Sequence, residues 1–293
     1  MTERETKTRT LENEKIRITV LPEDGGRIVS LFDRTAGCEL LWENPRTSHA
    51  RRYYGCCYDD MSAGGVEEAF PTVEACRHIR TELPPFGEVW TLAWQAAQED
   101  HCLALETQSL VWPATLQKTI TLDGACMRVM YRIENIGSSA FSYIFGFHPA
   151  LRLYEDSVLM QEPGIYRMYR APDLSQEQEP FSWPMFHGRD LRQMQTGAFG
   201  GVYNFGAYPA AAGHYGVRHP AEKSSLQIRF DASFFRSLSI WPVYGSWRGH
   251  TCLLTEAFTC LPLKLTQAEQ EACARYLNPG ESIQTSVSYL VGL

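Results

Sequence analysis

Two segments of the chain hold residue types able to move protons. In Phe141-Ser142-Tyr143-Ile144-Phe145-Gly146-Phe147-His148-Pro149, strand alternation puts aromatic rings at 141, 143, 145 and 147 on one face. His148 then shares the other face with Ser142, Ile144 and Gly146, whose small or slim side chains leave room above the strand. Pro149 holds the His148 backbone in the β or polyproline region. Two readings fit: the imidazole projects into a cavity, or it is a core histidine bonded to a backbone carbonyl. In Cys252-Leu-Leu-Thr-Glu256-Ala-Phe-Thr, the same alternation puts Glu256 beside Leu254 and Phe258. Burying a carboxylate on an apolar face is costly and calls for a partner or a purpose. Glu256 is either a general base or one half of an inward ion pair with an arginine such as Arg236 or Arg248.

A third region, Gly64-Gly65-Val66-Glu67-Glu68-Ala69-Phe70-Pro71 followed by Phe86-Gly87-Glu88-Val89-Trp90, reads as loops pinned beside a pocket. Glu88 is there a ligand contact or a solvated turn residue. Trp90, Trp94, Trp183 and Trp241 present amphipathic faces that suit stacking on sugar rings, or else fill a core. Gly-x-Gly-x-x-Gly, Walker Gly-Lys-Ser/Thr, Gly-x-Ser-x-Gly and His-Glu-x-x-His are absent, which removes the simple dinucleotide, nucleotide, hydrolase-elbow and zincin readings. The nine cysteines include no Cys-x-x-Cys pair, and Cys76-Arg77-His78 is the nearest approach to a zinc spacing. They read as reduced thiols rather than as a metal site.

The elements that must position these residues are strands. Ile16, Ile18 and Val20 alternate with Arg17 and Thr19 before a turn at Glu23-Asp24-Gly25-Gly26. The pattern recurs over Leu103 to Val111, Leu116 to Leu122, Met127 to Ile133, Leu226 to Phe230 and Ser286 to Leu290. Asp123-Gly124 marks a tight hairpin, with glycine supplying a positive φ. One short helix is expected from Thr266 to Arg275, capped by Thr266 and ended by Asn278-Pro279-Gly280. The segment from Glu155 to Gly216 looks irregular, with long loops. At 293 residues, 44% hydrophobic, the chain is long enough to bury a large core. Its net charge of −7 and lack of a basic cluster argue against nucleic acid. The charged N-terminus, Met1 to Lys15, holds no signal-like apolar stretch, and no run is long enough to span a bilayer. The expectation is a cytoplasmic protein that does not engage a membrane.

The order of these features over nearly the whole chain resembles the galactose mutarotase-like family, which includes the aldose 1-epimerases. The residues that carry the resemblance are Ile16 to Asp33, the Gly64-Gly65 and Phe70-Pro71 loop, Phe86-Gly87-Glu88-x-Trp90, and the hairpin leading into Glu134-Asn135-x-Gly137. His148-Pro149, Leu254-Thr255-Glu256 and Leu277-Asn278-Pro279-Gly280-Glu281 complete it. The resemblance implies an all-β fold, one large antiparallel β-supersandwich over residues 1–293, with a sugar cleft across one sheet face. It implies that His148 is a general acid for the ring oxygen and Glu256 the base for the anomeric hydroxyl, with no cofactor. The implied partner is a monosaccharide or sugar derivative, bound by a monomer or homodimer, with Phe86, Glu88, Trp90 and Trp241 as sugar contacts. Two departures stand out. Phe86 occupies a position where many relatives carry a second histidine, and Ala63 one where hexose-phosphate mutarotases carry arginine before Gly-Gly. Arg51, Arg52, Arg77 and Arg80 are the nearby cations that could replace that charge. A carbohydrate-binding or sensing protein that keeps the cleft but turns nothing over is the competing implication.

Overall fold

The computed structural model describes residues 8–47, 50–196, 200–210 and 212–292. Met1 to Lys7 of the charged N-terminal segment lie outside the described residues. Two antiparallel sheets dominate. The larger runs in spatial order through Arg9–Glu12, Ile16–Leu21, Arg27–Asp33, Val66–Ala69, Gly146–Arg152, Thr251–Phe258, Ser237–Tyr244, Asn204–Ala207, Ile165–Arg170 and Glu179–Ser182. The smaller runs through Val158–Gln161, His214–His219, Ser224–Phe230, Ser282–Val291, Cys126–Asn135, Ala114–Asp123, Cys102–Gln108 and Gln95–Glu99.

Alternate residues from both sheets meet in one buried cluster. Ile18, Val66, Phe147, Ile240 and Leu253 come from the larger sheet, and Leu116, Val129, Leu226 and Val287 from the smaller. Each such side chain stabilises the sandwich by about 1.5–3 kcal/mol relative to exposure. The period of two that makes this core also leaves every second residue of the larger sheet on its outer face, where the site lies.

Glu67 and Glu68 show the division most sharply. Both lie in the Val66–Ala69 strand rather than in a loop, and so point to opposite faces. Glu68 enters the sandwich, where its carboxylate meets Lys118 Nζ of the facing sheet at 2.7 Å and the Tyr131 hydroxyl at 2.9 Å. Burial pushes the Glu68 carboxyl up and the Lys118 ammonium down, and their mutual attraction opposes both shifts. Trp94 lies under the ammonium at 4.8 Å. Glu67 faces outward, toward the site.

Several expectations need correction. The helix spans Leu265–Gln270, with Lys264 at its N-cap and no side-chain cap. Leu265 is buried and its amide bonds the Thr72 hydroxyl at 3.2 Å, which starts the helix one residue early. Arg275–Leu277 pairs as a strand with Phe141–Tyr143, which ends it early. That pairing also divides the 141–151 run into two strands, the second, Gly146–Arg152, joining the larger sheet. The Cys102–Gln108 strand stops short of Val111 because the Leu110 and Val111 amides turn to Glu88, at 2.8 and 3.4 Å. The 155–216 segment carries short paired strands between its loops. The hairpin closes on the pair Asp123 and Cys126, with Gly124 at φ 53° as expected.

Candidate functional site

Three neighbouring strands line up the polar centre of the site. In the larger sheet, Gly146–Arg152 lies between Val66–Ala69 and Thr251–Phe258, and His148 stands directly opposite Glu67. On its other side, the pairs Phe147 with Ala257 and Ala150 with Leu254 bracket His148 and Glu256. Alternation sends Phe147 into the core and His148 to the outer face. The row that results is Glu67, His148, Glu256.

The contacts along this row are continuous. His148 Nε2 lies 3.3 Å from Glu256 Oε1, and the two side chains are 5% and 13% exposed. His148 Nδ1 lies 3.1 Å from the Tyr58 hydroxyl, which donates to Glu67 Oε2 at 2.8 Å. Glu67 Oε1 forms an ion pair with Arg52 Nη1 at 2.6 Å. Ser62 donates to Glu67 Oε2 at 3.2 Å. Burial, then the Glu67 charge, push the Tyr58 phenol well above its usual range. Phe86 stacks flat on Tyr58, with ring centroids 3.6 Å apart and planes 6° off parallel, and meets His148 in a T-shaped contact at 5.2 Å. Phe86 adopts φ 63°, a left-handed conformation unusual for an aromatic residue. The next residue must be glycine, because a Cβ at Gly87 would lie 2.0 Å from the Phe70 carbonyl oxygen.

A cavity of about 200 Å³ opens above the pair. His148, Glu256, Tyr58 and Phe86 form one part of its lining, and Trp42, Trp241, Trp247, His250 and Leu254 an apolar and aromatic wall. Arg170 also lines it. His250 meets Trp42 edge-on at 4.9 Å, and burial, aided by the Arg46 and Arg248 charges, holds its imidazole below its usual range. A histidine and a carboxylate within hydrogen-bonding reach thus line the same cavity as flat apolar surfaces.

Of the residues singled out by sequence, His148, Glu256, Phe86 and Trp241 meet at this cavity. Glu88 and Trp90 do not line it. Glu88 is fully buried, accepting from the Ser109 hydroxyl and the Leu110 and Val111 amides, so its carboxylate pins a loop. Trp90 is 1% exposed and packs behind Tyr58 and against Arg52, at 4.9 and 5.4 Å. Trp94 and Trp183 belong to the core. The inward ion pair to an arginine is not made by Glu256: Arg248 bonds Asp60 at 2.8 Å and Arg236 lies over Tyr208 at 5.5 Å. None of Arg51, Arg52, Arg77 and Arg80 lines the cavity, and Arg52 is engaged by Glu67. Tyr58, Trp42, Trp247 and His250 are the residues sequence reasoning missed. Tyr58 is separated by 90 positions from the histidine it touches, and no spacing signals such a contact.

Among the described residues, no helix is long and apolar enough to cross a membrane, and no group of three His, Cys, Asp or Glu side chains is arranged to hold a metal ion. All nine cysteines are free.

No curated protein matches the sequence significantly. A family model described as a domain of unknown function, DUF5107, matches residues 2–83. Solved structures match over nearly the whole chain. The Slr1438 protein of Synechocystis sp. PCC 6803 superposes with a TM-score of 0.76 at 17% identity, covering 99% of this chain and 97% of its own. A galactose mutarotase-like protein from Lactobacillus casei ATCC 334 gives 0.67 at 17% identity, over 97% and 100% of the two chains. A galactose mutarotase related enzyme from Lactobacillus acidophilus gives 0.68 at 14%, over 97% of each. At these identities the likeness is one of fold. The chain has the galactose mutarotase-like fold that its motifs suggested.

Proposed function

We propose that this chain, acting as one domain, is a cofactor-free sugar mutarotase that interconverts the α and β anomers of a free aldose or aldose derivative. The observation that carries the reading is the His148 Nε2 to Glu256 Oε1 separation of 3.3 Å at the wall of one cavity. Ring opening needs one proton delivered and one removed at two oxygens bonded to the same carbon, so an acid and a base side by side suit it.

In the proposed sequence, His148 Nε2–H protonates the ring oxygen while Glu256 takes the proton of the anomeric hydroxyl. The bond from C1 to the ring oxygen breaks, leaving an open-chain aldehyde with a free hydroxyl. Rotation about C1–C2 presents the other carbonyl face. His148 then takes the proton from the attacking hydroxyl, and Glu256 returns its own to the carbonyl oxygen. Each group contributes on the order of 10²–10⁴-fold. Trp241 and Trp42 supply apolar faces for the C–H side of the sugar ring.

The test is anomer exchange across hexoses, pentoses and deoxy sugars, followed by NMR magnetisation exchange or polarimetry. Acceleration of at least one sugar is expected, unaffected by EDTA. His148→Ala and Glu256→Gln are each expected to lower turnover by at least about 100-fold while the variants still melt cooperatively. Sugar binding without acceleration of any sugar would overturn the mutarotase reading in favour of a non-catalytic carbohydrate receptor.

A further inference from the structure

Which nitrogen of His148 holds hydrogen in the neutral ring decides whether the ring can recover a proton where it gave one away. The residues behind the imidazole decide that. Glu67 is ion-paired to Arg52 at 2.6 Å, both side chains being 1% exposed, and as a carboxylate it can only accept hydrogen bonds. Tyr58 has one proton and donates it to Glu67 Oε2 at 2.8 Å. With that proton committed, the phenol oxygen facing His148 Nδ1 at 3.1 Å can only accept. Nδ1 must therefore carry hydrogen. The reverse arrangement, with the phenol donating to Nδ1, would leave Glu67 Oε2 with the Ser62 hydroxyl alone, at the longer distance of 3.2 Å. Phe86, flat against Tyr58 at 3.6 Å, keeps the phenol from swinging away.

We infer that Tyr58, oriented by Glu67 and Arg52, is a positioning residue that locks neutral His148 as the Nδ1–H tautomer, so that the mobile proton is always the one on Nε2. The inference rests on the mutarotase reading for its purpose. Nε2 is the nitrogen that faces Glu256. When the Nε2 proton passes to the ring oxygen, the neutral ring left behind has its lone pair aimed into the cavity. It takes a proton back on reclosure without a ring flip or a tautomer exchange.

Nitrogen-15 NMR of the ligand-free, histidine-labelled full chain tests this directly, since it reads the tautomer whether or not any sugar turns over. Nδ1 of His148 should remain protonated through its titration while Nε2 loses its proton. Tyr58→Phe keeps the stacked ring but removes the acceptor. It should populate both tautomers and lower kcat about tenfold with KM nearly unchanged. A merely structural role would lower the melting temperature without moving the tautomer.

Glu67→Gln gives a sharper outcome. Its amide oxygen should face Arg52 and its NH₂ the phenol, turning the Tyr58 proton onto Nδ1 and converting neutral His148 to the Nε2–H form. Wild-type His148 protonated at Nε2 when neutral, or Tyr58→Phe with the wild-type tautomer and kcat, would overturn the inference. An Nδ1–H tautomer in a protein that accelerates no sugar would instead remove the mutarotase reading and leave the lock standing.

Discussion

Phe86 joins the wall of the cavity to the packing behind it. Its ring lies against Tyr58 and borders the cavity, and its backbone sits at φ 63°. An apolar wall there cannot hydrogen-bond a sugar hydroxyl, and apolar walls discriminate weakly between a hydroxyl and its absence. Loose selectivity among aldoses should follow, checked by comparing kcat/KM for matched hexose and deoxyhexose pairs, which should differ by less than about 100-fold. Phe86→Ala should destabilise the fold by about 3–5 kcal/mol in denaturant titrations, the range for losing a buried aromatic ring. The same variant should raise KM, because the ring forms part of the cavity wall, and lower kcat, because its loss frees the Tyr58 phenol. Phe86→His restores a polar group beside His148 and should raise activity on glucose or galactose. A fall on every sugar would show that the stacking on Tyr58 outweighs any new hydrogen bond.

At the scale of elements, alternation and face carried the sequence reading, and contacts between distant loops limited it. His148 and Glu256 were assigned to the correct strand faces from residue types alone, because a period of two leaves little choice. The two main tryptophan and glutamate assignments in the 86–90 loop were legible only as a pinned loop. Spacing says that a turn is fixed, not which of its side chains points inward, and Glu88 proved to be the pin. The Val66–Ala69 strand reads as loop in the sequence because paired glycines precede it and a proline follows. Its two consecutive acids are tolerated because one meets Lys118 inside the sandwich and the other meets buried Arg52 on the outer face of the sheet. Lys118→Met should accordingly cost about 3–5 kcal/mol by leaving Glu68 in the core without its counter-ion, with only the Tyr131 hydroxyl as partner. Adding Glu68→Gln should recover much of that loss, as double-mutant denaturation curves would reveal.

For the molecule as a whole, the response to acid should be governed in part far from the cavity. His219 is fully buried in the His214–His219 strand, with Nδ1 2.9 Å from the Ser157 hydroxyl and Nε2 without a hydrogen-bond partner among the described residues. Burial lowers its pKa to about 4, with the nearby Asp156 charge opposing that shift. The folded state thus holds this ring neutral where the unfolded chain would protonate it. Its contribution is fully present above about pH 6.5 and is lost as pH falls toward 4, by up to about 3 kcal/mol. Denaturant midpoints measured at neutral and mildly acidic pH should show this loss, and His219→Gln should flatten it. Glu67 and Glu68 add a constraint on chain length. Since neighbours in a strand address opposite sides of the sheet, deleting or inserting one residue in that strand would exchange their destinations. Lys118 would lose its counter-ion and Tyr58 its acceptor in the same event. The segment between Gly65 and Phe70 is thereby written in a fixed reading frame, in which cohesion of the two sheets and orientation of His148 cannot drift independently.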